Sequence, residues 1–273
     1  MRLKFDNDLH IHSKISLCSN DPLQTNERIL KYAVDNNLNT ICITDHFWDE
    51  NVPGAPEWYR RQNYAHISSA KPLPQGEGKI EFLFGCETEM DKNFNIAIAN
   101  ETFNKFDFVV IPTTHFHMVG LTIDESVKSP MQKAVFWLNK LNALLDMDLP
   151  FYKIGIAHLT CHLIAADSRK EYLETISLLK DKDLKNVFRK AAAKGVGIEL
   201  NSSDMNYKLE EKDIILKPYL IAKQMGCKFY FGSDAHHPAE LDAAKEIFEK
   251  AIDDLKLEES DGFIIKKEKY MRR

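Results

Sequence analysis

The chain has 273 residues, a net charge of −5 and a hydrophobic fraction of 44%, which is enough for a sizeable core and excludes global disorder. The acidic balance argues against a protein that coats nucleic acid through a basic surface. Five cysteines, without a C-x-x-C pair, favour a reducing compartment. Because we find no signal-peptide pattern and no apolar run of about 20 residues, we expect a cytoplasmic protein without membrane contact.

Strand-like runs rich in Ile, Val, Phe and Tyr recur along the chain, and helical patterns lie between them. The predicted strands are Asp8–His12, Thr40–Asp45, Ile80–Glu87, Phe108–Thr113, Ile154–His158, Gly197–Leu200 and Lys228–Ser233. Their nearly continuous apolar character is typical of a parallel sheet covered on both faces. Strands alternating with helices predict βαβ units with right-handed crossovers.

The helical segments have recognisable ends. The predicted helices are Thr25–Asn36, Ser129–Met147, Leu184–Lys194, Ile214–Met225 and Pro238–Leu255. Ser129 before a proline is a typical N-cap, and Gly195 and Gly226 suit left-handed C-caps. Insertions at residues 47–78 and 116–128 interrupt the rhythm, and such loops often carry substrate recognition. We predict one α/β barrel domain, residues 1–273, with a substrate-loop insertion at 47–78.

Side chains that bind metals stand at the ends of most of these predicted strands. They are His10, His12, His46, Glu87, His115, His158, Asp234 and His236. In a barrel of alternating strands and helices, the carboxyl ends of all strands open onto one face, so residues far apart in sequence converge there. A cluster of imidazoles and carboxylates predicts a divalent-metal site. The ligands exceed what one centre can use, which favours two or three ions.

The first predicted strand carries a His-x-His pair. Period-two geometry places His10 and His12 on one face of the strand, with Ile11 opposite. The preceding carboxylates, Asp6 and Asp8, are predicted to fix an imidazole tautomer from behind.

Carboxylates follow two other strands. Glu87 comes directly after an apolar run, where a bridging role between two cations would explain it. Glu89 shares its face, and we interpret it as a solvated neighbour. Asp234 and His236, two positions apart, can aim at one pocket.

Taken in order, these motifs resemble the polymerase-and-histidinol-phosphatase (PHP) family across nearly the whole chain. The matching segments are Asp-Leu-His-Ile-His-Ser at 8–13, Ile-Thr-Asp-His at 43–46, Gly-Cys-Glu at 85–87, Thr-His at 114–115, Ala-His at 157–158 and Gly-Ser-Asp-Ala-His at 232–236. The resemblance implies a distorted (β/α)7 TIM-like barrel holding divalent zinc, iron or manganese.

The resemblance also implies how the ligands divide among three metals. One metal would take His10, His12, Glu87 and Asp234; a second would take Glu87, His115 and His158; a third would take His46 and His236. The family usually offers a His or Asp eight residues after the first histidine of His-x-His, and this chain has Cys18 there. Either the Cys18 thiolate or Asp21, through a shifted loop, would complete the third site.

The implied chemistry is attack on a phosphoester by a hydroxide that bridges the metals, without a nucleophilic Ser or Cys. Asp234 or His236 could also pass a proton to the leaving oxygen. A small phosphorylated substrate needs further contacts. Candidates that could hold its phosphate or its planar group are Arg60, Arg61, Arg169 and Trp58.

Our leading interpretation is a phosphomonoesterase acting on L-histidinol phosphate in histidine biosynthesis, because stand-alone family members of this length resemble that enzyme. A nuclease or nucleotide phosphatase on the same site is the alternative, and the acidic charge weighs against polynucleotides. A non-catalytic, metal-stabilised interaction module remains open. Amidohydrolases also begin with His-x-His but bridge their metals through a modified lysine on the fourth strand, where this chain has His115. The sequence does not indicate an oligomeric state.

Overall fold

The computed structural model describes residues 1–19, 21–72 and 80–266. Residues 73–78 of the predicted insertion lie outside the described residues. The strands are β1 (Asn7–Ile11), β2 (Thr40–Ile43), β3 (His46–Phe47), β4 (Glu81–Phe84), β5 (Cys86–Thr88), β6 (Val109–Pro112), β7 (Ile154–Ala157), β8 (Gly197–Asn201) and β9 (Lys228–Gly232). The helices are α1 (Asn26–Asp35), α2 (Glu57–Arg60), α3 (Tyr64–Ile67), α4 (Pro130–Asp146), α5 (Arg169–Ser177), α6 (Asp181–Lys194), α7 (Ser202–Met205), α8 (Lys212–Gln224) and α9 (Pro238–Leu255).

Every pair of neighbouring strands is parallel, in the orders β1-β2-β4 and β3-β5-β6-β7-β8-β9. The predicted strand Ile80–Glu87 therefore divides between the two sheets as β4 and the start of β5. In the same way β2 is followed by β3 in the other sheet, although His46 lies just beyond the predicted strand Thr40–Asp45. Gly85 marks the division between β4 and β5, where a side chain would collide with the carbonyl of Phe108. A bridge from Ile11 to Ala235 links the end of β1 to the segment after β9. The predicted α/β, TIM-like class is confirmed, with its ladder interrupted.

Local chemistry explains where the longer helices begin and end. Thr25 caps α1 by accepting from the backbone of Arg28, and Ser129 with Gln132 forms a reciprocal capping box at α4. Gly195 ends α6 with φ of 72°, a left-handed conformation that costs glycine little. In the described part of the chain, no helix has the length and apolar character needed to cross a bilayer.

The core lies between the strands and the surrounding helices, and its strand residues are almost entirely buried. Two non-glycine residues at strand ends take left-handed backbone conformations, His158 with φ of 32° and Asp234 with φ of 54°. Such conformations cost free energy and are often kept where they aim a functional side chain. Here both residues belong to the predicted ligand set.

Candidate metal centre

Glu87 lies at the centre of the predicted ligands, and its two carboxylate oxygens face different imidazoles. Oε1 lies 3.2 Å from His158 Nε2 and 3.9 Å from His115 Nε2. Oε2 lies 2.9 Å from His46 Nδ1, 3.4 Å from His12 Nε2 and 3.6 Å from His10 Nε2. This division matches what a bridging carboxylate needs, with one oxygen toward each of two cations.

Asp234 closes the other side of the cluster. Its Oδ1 lies 3.1 Å from His12 Nε2 and 3.5 Å from His10 Nε2, and its Oδ2 lies 3.8 Å from His158 Nε2. The ring of His236 stacks on that of His12 with centroids 4.2 Å apart. The fold therefore brings all of the predicted ligands into one pocket.

Three of the rings have their tautomer fixed by an oxygen behind them. His10 Nδ1 lies 2.7 Å from Glu199 Oε1, and His115 Nδ1 lies 2.7 Å from Glu89 Oε1. His158 Nδ1 lies 3.4 Å from Thr114 Oγ1. Since each oxygen holds the Nδ1 proton, Nε2 is the ring nitrogen that would bind a cation once its own proton is lost.

His236 is oriented in a similar way. Its Nδ1 lies 2.7 Å from the backbone carbonyl oxygen of Asp234, which can only accept, so the ring proton is on Nδ1. Nε2 is therefore the ring nitrogen that would bind a cation. If it holds a cation, the ring has no proton positioned for a leaving oxygen.

Glu199 and Glu89 are site residues that the sequence interpretation missed or misjudged. Glu89 is completely buried and also accepts from Tyr59 Oη at 2.7 Å, so its interpretation as a solvated neighbour is wrong. Burial favours the protonated form, but the charge of His115 lowers the pKa of Glu89 below its ordinary value. Glu199 could have been identified from the sequence, because an ionisable residue inside the otherwise apolar strand β8 is unusual.

Asp6 and Asp8 do not fix an imidazole tautomer, contrary to expectation. Asp8 accepts from Tyr32 Oη at 2.9 Å and from the backbone of Ser233 at 2.9 Å. Asp6 accepts from the side chain of Asn39. Their position before the His-x-His pair reflects the joining of β1 to its neighbours.

Cys18 and Asp21 occupy different surroundings. The donor atoms of His12, Cys18, His46 and His236 lie within 4.8 Å of one another. Burial opposes ionisation of the thiol, but the neighbouring His12 and hydrogen bonds within the cluster lower the pKa of Cys18 to about 3. Asp21 instead pairs with His237 at 3.2 Å.

The predicted substrate residues are dispersed. Trp58 stands edge-on to His46, with ring centroids 5.2 Å apart. Arg60 donates to the backbone carbonyl of Ala55, and Arg61 is exposed. Arg169 forms a two-pronged ion pair with Glu211, at 2.9 and 2.5 Å, so much of its hydrogen-bonding capacity is used within the fold. Of these side chains, Trp58 contacts a predicted ligand, His46.

Several buried atoms of the cluster have no hydrogen-bond partner among the described residues. They are His10 Nε2, His12 Nε2, His46 Nδ1, Glu87 Oε1 and Glu87 Oε2. Unpaired buried polar atoms are costly, and cations between them would satisfy all five. The donor set therefore fits divalent transition metals.

The carboxylates also set the protonation of the metal-free rings. Burial disfavours charged imidazoles, but Glu87 raises the pKa of His46 to about 10 and that of His158 to about 9. Burial would raise the pKa of Asp234, but the charge of His10 holds it well below its ordinary range. Metal binding must therefore displace ring protons.

This fold is shared with two solved structures. One is histidinol phosphate phosphatase from Lactococcus lactis subsp. lactis Il1403, complexed with zinc, L-histidinol and phosphate, with a TM-score of 0.59 at 18% identity over 90% of this chain and 94% of that one. Another is a proposed histidinol phosphatase from Listeria monocytogenes, with a TM-score of 0.56 at 13% identity over 86% of this chain and 96% of that one. No curated protein matches by sequence.

The PHP domain model matches residues 8–203. This match covers more than half of the chain and includes the His-x-His pair, Glu87, His115, His158 and Glu199. The chain belongs to the PHP family.

Proposed function

We propose that this protein is a metal-dependent phosphomonoesterase that hydrolyses L-histidinol phosphate. The observation that carries the proposal is the division of the Glu87 oxygens between two groups of imidazoles, because it prepares adjacent sites for two cations. Cations bound there would supply Lewis acidity toward a phosphoryl oxygen and would acidify water. The ligand set proposed from the sequence is kept in full: His10, His12, His46, Glu87, His115, His158, Asp234 and His236.

The chain's own residues hold this arrangement rigid. Glu199, Glu89 and Thr114 orient three rings from behind, which removes the reorganisation that would otherwise accompany each turnover. Asp234 stays a carboxylate at neutral pH because its pKa is low. It therefore cannot supply a proton to the leaving alkoxide, and we assign it to holding charge in the pocket.

Proton delivery from His236 depends on whether its Nε2 holds a cation. With Nδ1 bound to the Asp234 carbonyl, a ring that binds metal through Nε2 cannot donate. If every site holds a cation, neither Asp234 nor His236 has a proton for the leaving oxygen, and water would supply it. The ester P–O bond breaks as water oxygen bonds to phosphorus, which yields L-histidinol and inorganic phosphate.

We assign recognition of the histidinol part of the substrate to Trp58. Its side chain is 38% exposed, stands beside His46 and packs edge-on against Tyr59, with centroids 4.7 Å apart. A partly exposed aromatic ring beside the ligand cluster suits the imidazole of histidinol. This choice is supported by the Lactococcus structure, which is a complex with L-histidinol and phosphate.

The test is a comparison of substrates with the purified, metal-analysed protein. L-histidinol phosphate should be hydrolysed with a kcat/KM at least about tenfold above that of an aryl phosphate, equivalent to roughly 1.4 kcal/mol. Nucleoside monophosphates and a single-stranded oligonucleotide complete the panel. Turnover of these without histidinol phosphate would replace the proposal with a nucleotide phosphatase or nuclease. Absence of all turnover would favour a binding module.

A further inference from the structure

Cys18 brings sulfur into a corner of the metal centre otherwise made of imidazoles. Its thiol is half-buried, and its sulfur lies in a group of donor atoms with His12, His46 and His236. His12 also belongs to a second donor group, with His10 and Asp234. Cys18, His46 and His236 are therefore the donors that this corner does not share.

The loop that carries Cys18 is fastened on both sides of the thiol. The backbone of Leu17 donates to Gln62 Oε1 at 3.2 Å, and Ser19 Oγ donates to the carbonyl of His236 at 2.6 Å. Ser16 Oγ lies 3.0 Å from Cys18 Sγ. Because these contacts fix the backbone on each side, the sulfur is held toward the pocket by the fold.

Two ring nitrogens of the surrounding imidazoles lack the hydrogen bonds that buried polar atoms usually make. Among the described residues, His12 Nε2 and His46 Nδ1 are buried without a hydrogen-bond partner. His46 Nδ1 lies only 2.9 Å from Glu87 Oε2. His236 presents Nε2, since its Nδ1 proton goes to the Asp234 carbonyl.

The competing carboxylate is engaged elsewhere. Asp21 accepts from the backbone of Leu23 at 2.8 Å and pairs with His237. It would have to give up both contacts to reach this corner, whereas Cys18 is already in the donor group.

We propose that Cys18, His46 and His236 form a one-sulfur, two-nitrogen metal site that retains zinc or cobalt in preference to manganese or magnesium. Thiolate is a soft ligand that suits zinc and cobalt, whereas manganese and magnesium prefer oxygen. Three protein ligands leave a fourth position open, as in catalytic zinc sites. The inference rests on the metal centre of the proposed function but not on the identity of its substrate.

Cobalt substitution tests the sulfur ligand directly. Wild-type protein reloaded with Co²⁺ should show a thiolate-to-cobalt charge-transfer absorption in the near ultraviolet. Cys18→Ser should lose that absorption, and circular dichroism should show that it remains folded. Cys227→Ser is the matched control. Cys227 lies just before β9 and its thiol donates to the carbonyl of Phe188 on α6, a bond that a hydroxyl can also make. The control variant should keep the absorption.

Metal competition tests the selectivity. In excess manganese, wild-type protein should retain about one more zinc ion per chain than Cys18→Asp, which replaces sulfur with oxygen. Absence of the charge-transfer band in wild type, its persistence in Cys18→Ser, or equal zinc retention by wild type and Cys18→Asp would overturn the inference. These readouts do not require turnover. Hydrolysis of L-histidinol phosphate without the band would overturn only this inference, and the band without hydrolysis would overturn only the proposed substrate.

Discussion

His10 Nδ1 and Glu199 Oε1 lie 2.7 Å apart, and both side chains are completely buried. The other oxygen of Glu199 accepts from the backbone of His158 at 2.7 Å, so one carboxylate on β8 positions a predicted ligand within β1 and another directly after β7. Gly232 makes this possible, since a side chain there would collide with the Glu199 carboxylate. The orientation of His10 and His158 therefore depends on Glu199, which is not itself a predicted metal ligand.

Glu199→Gln should weaken metal binding by about 10–100-fold, because a neutral amide supports the His10 tautomer less strongly. Competition with a coloured chelator measures this affinity. Glu210 lies exposed in the short turn before α8. Glu210→Gln is therefore the matched control and should bind metal as wild type does. Equal affinity in all three proteins would remove Glu199 from the positioning role.

Glu87→Gln should lower kcat/KM by roughly 10²-fold or more, by analogy with the loss of other electrostatic groups at reacting centres. The substitution nearly preserves the side-chain volume but removes the negative charge that would screen the repulsion between two cations. Steady-state kinetics, paired with elemental analysis, give the comparison. Glu246→Gln on the exposed side of α9 makes the same chemical change away from the pocket. Similar losses in the two variants would show that the ligand assignment is wrong.

Trp58→Ala should reduce kcat/KM for L-histidinol phosphate by about tenfold and for an aryl phosphate by less, because the lost contact is to the histidinol group. Trp58→Phe keeps an aromatic face and should recover much of the difference. The quantity to compare is the ratio of the two specificity constants in each variant. An unchanged ratio in Trp58→Ala would place recognition elsewhere.

The Arg169–Glu211 ion pair should make stability depend on pH in the acid range. The hydrogen bond from Arg169 lowers the pKa of Glu211 to about 2, below its ordinary value. A depressed folded-state pKa gives stabilisation that is complete above the unfolded value, about 4.3, and is lost as pH falls toward the folded value. The difference in free energy of unfolding between wild type and Glu211→Gln, measured on chelated protein, should therefore shrink from about pH 6 to about pH 3.5. A constant difference would mean that the pair adds no charge-dependent stability.

The strands and the predicted ligands were readable from the sequence because both follow simple patterns. β-branched and aromatic runs locate β6, β7 and β9, and the histidines at their ends stand out against apolar neighbours. The division at Gly85 was not readable, because the apolar run continues through it. It depends on the close approach of Phe108, a contact made only in the folded chain.

The supporting groups were harder to predict. Glu89 and an ordinary surface carboxylate look alike in sequence, and only the approach of His115 and Tyr59 distinguishes them. Arg169 was equally ambiguous, since its partner Glu211 lies 42 residues away. Hydrogen bonds between distant segments set these roles, and no local pattern records them.

The most direct test of the account is phosphate release from L-histidinol phosphate before chelation, after complete metal removal, and after reloading with zinc or manganese. We expect turnover by the metal-loaded protein, its loss on chelation and its return with metal. The active form should hold at least two ions per chain, since Glu87 faces two groups of ligands. Turnover that survives complete metal removal, or the absence of turnover in every metal state, would contradict the account.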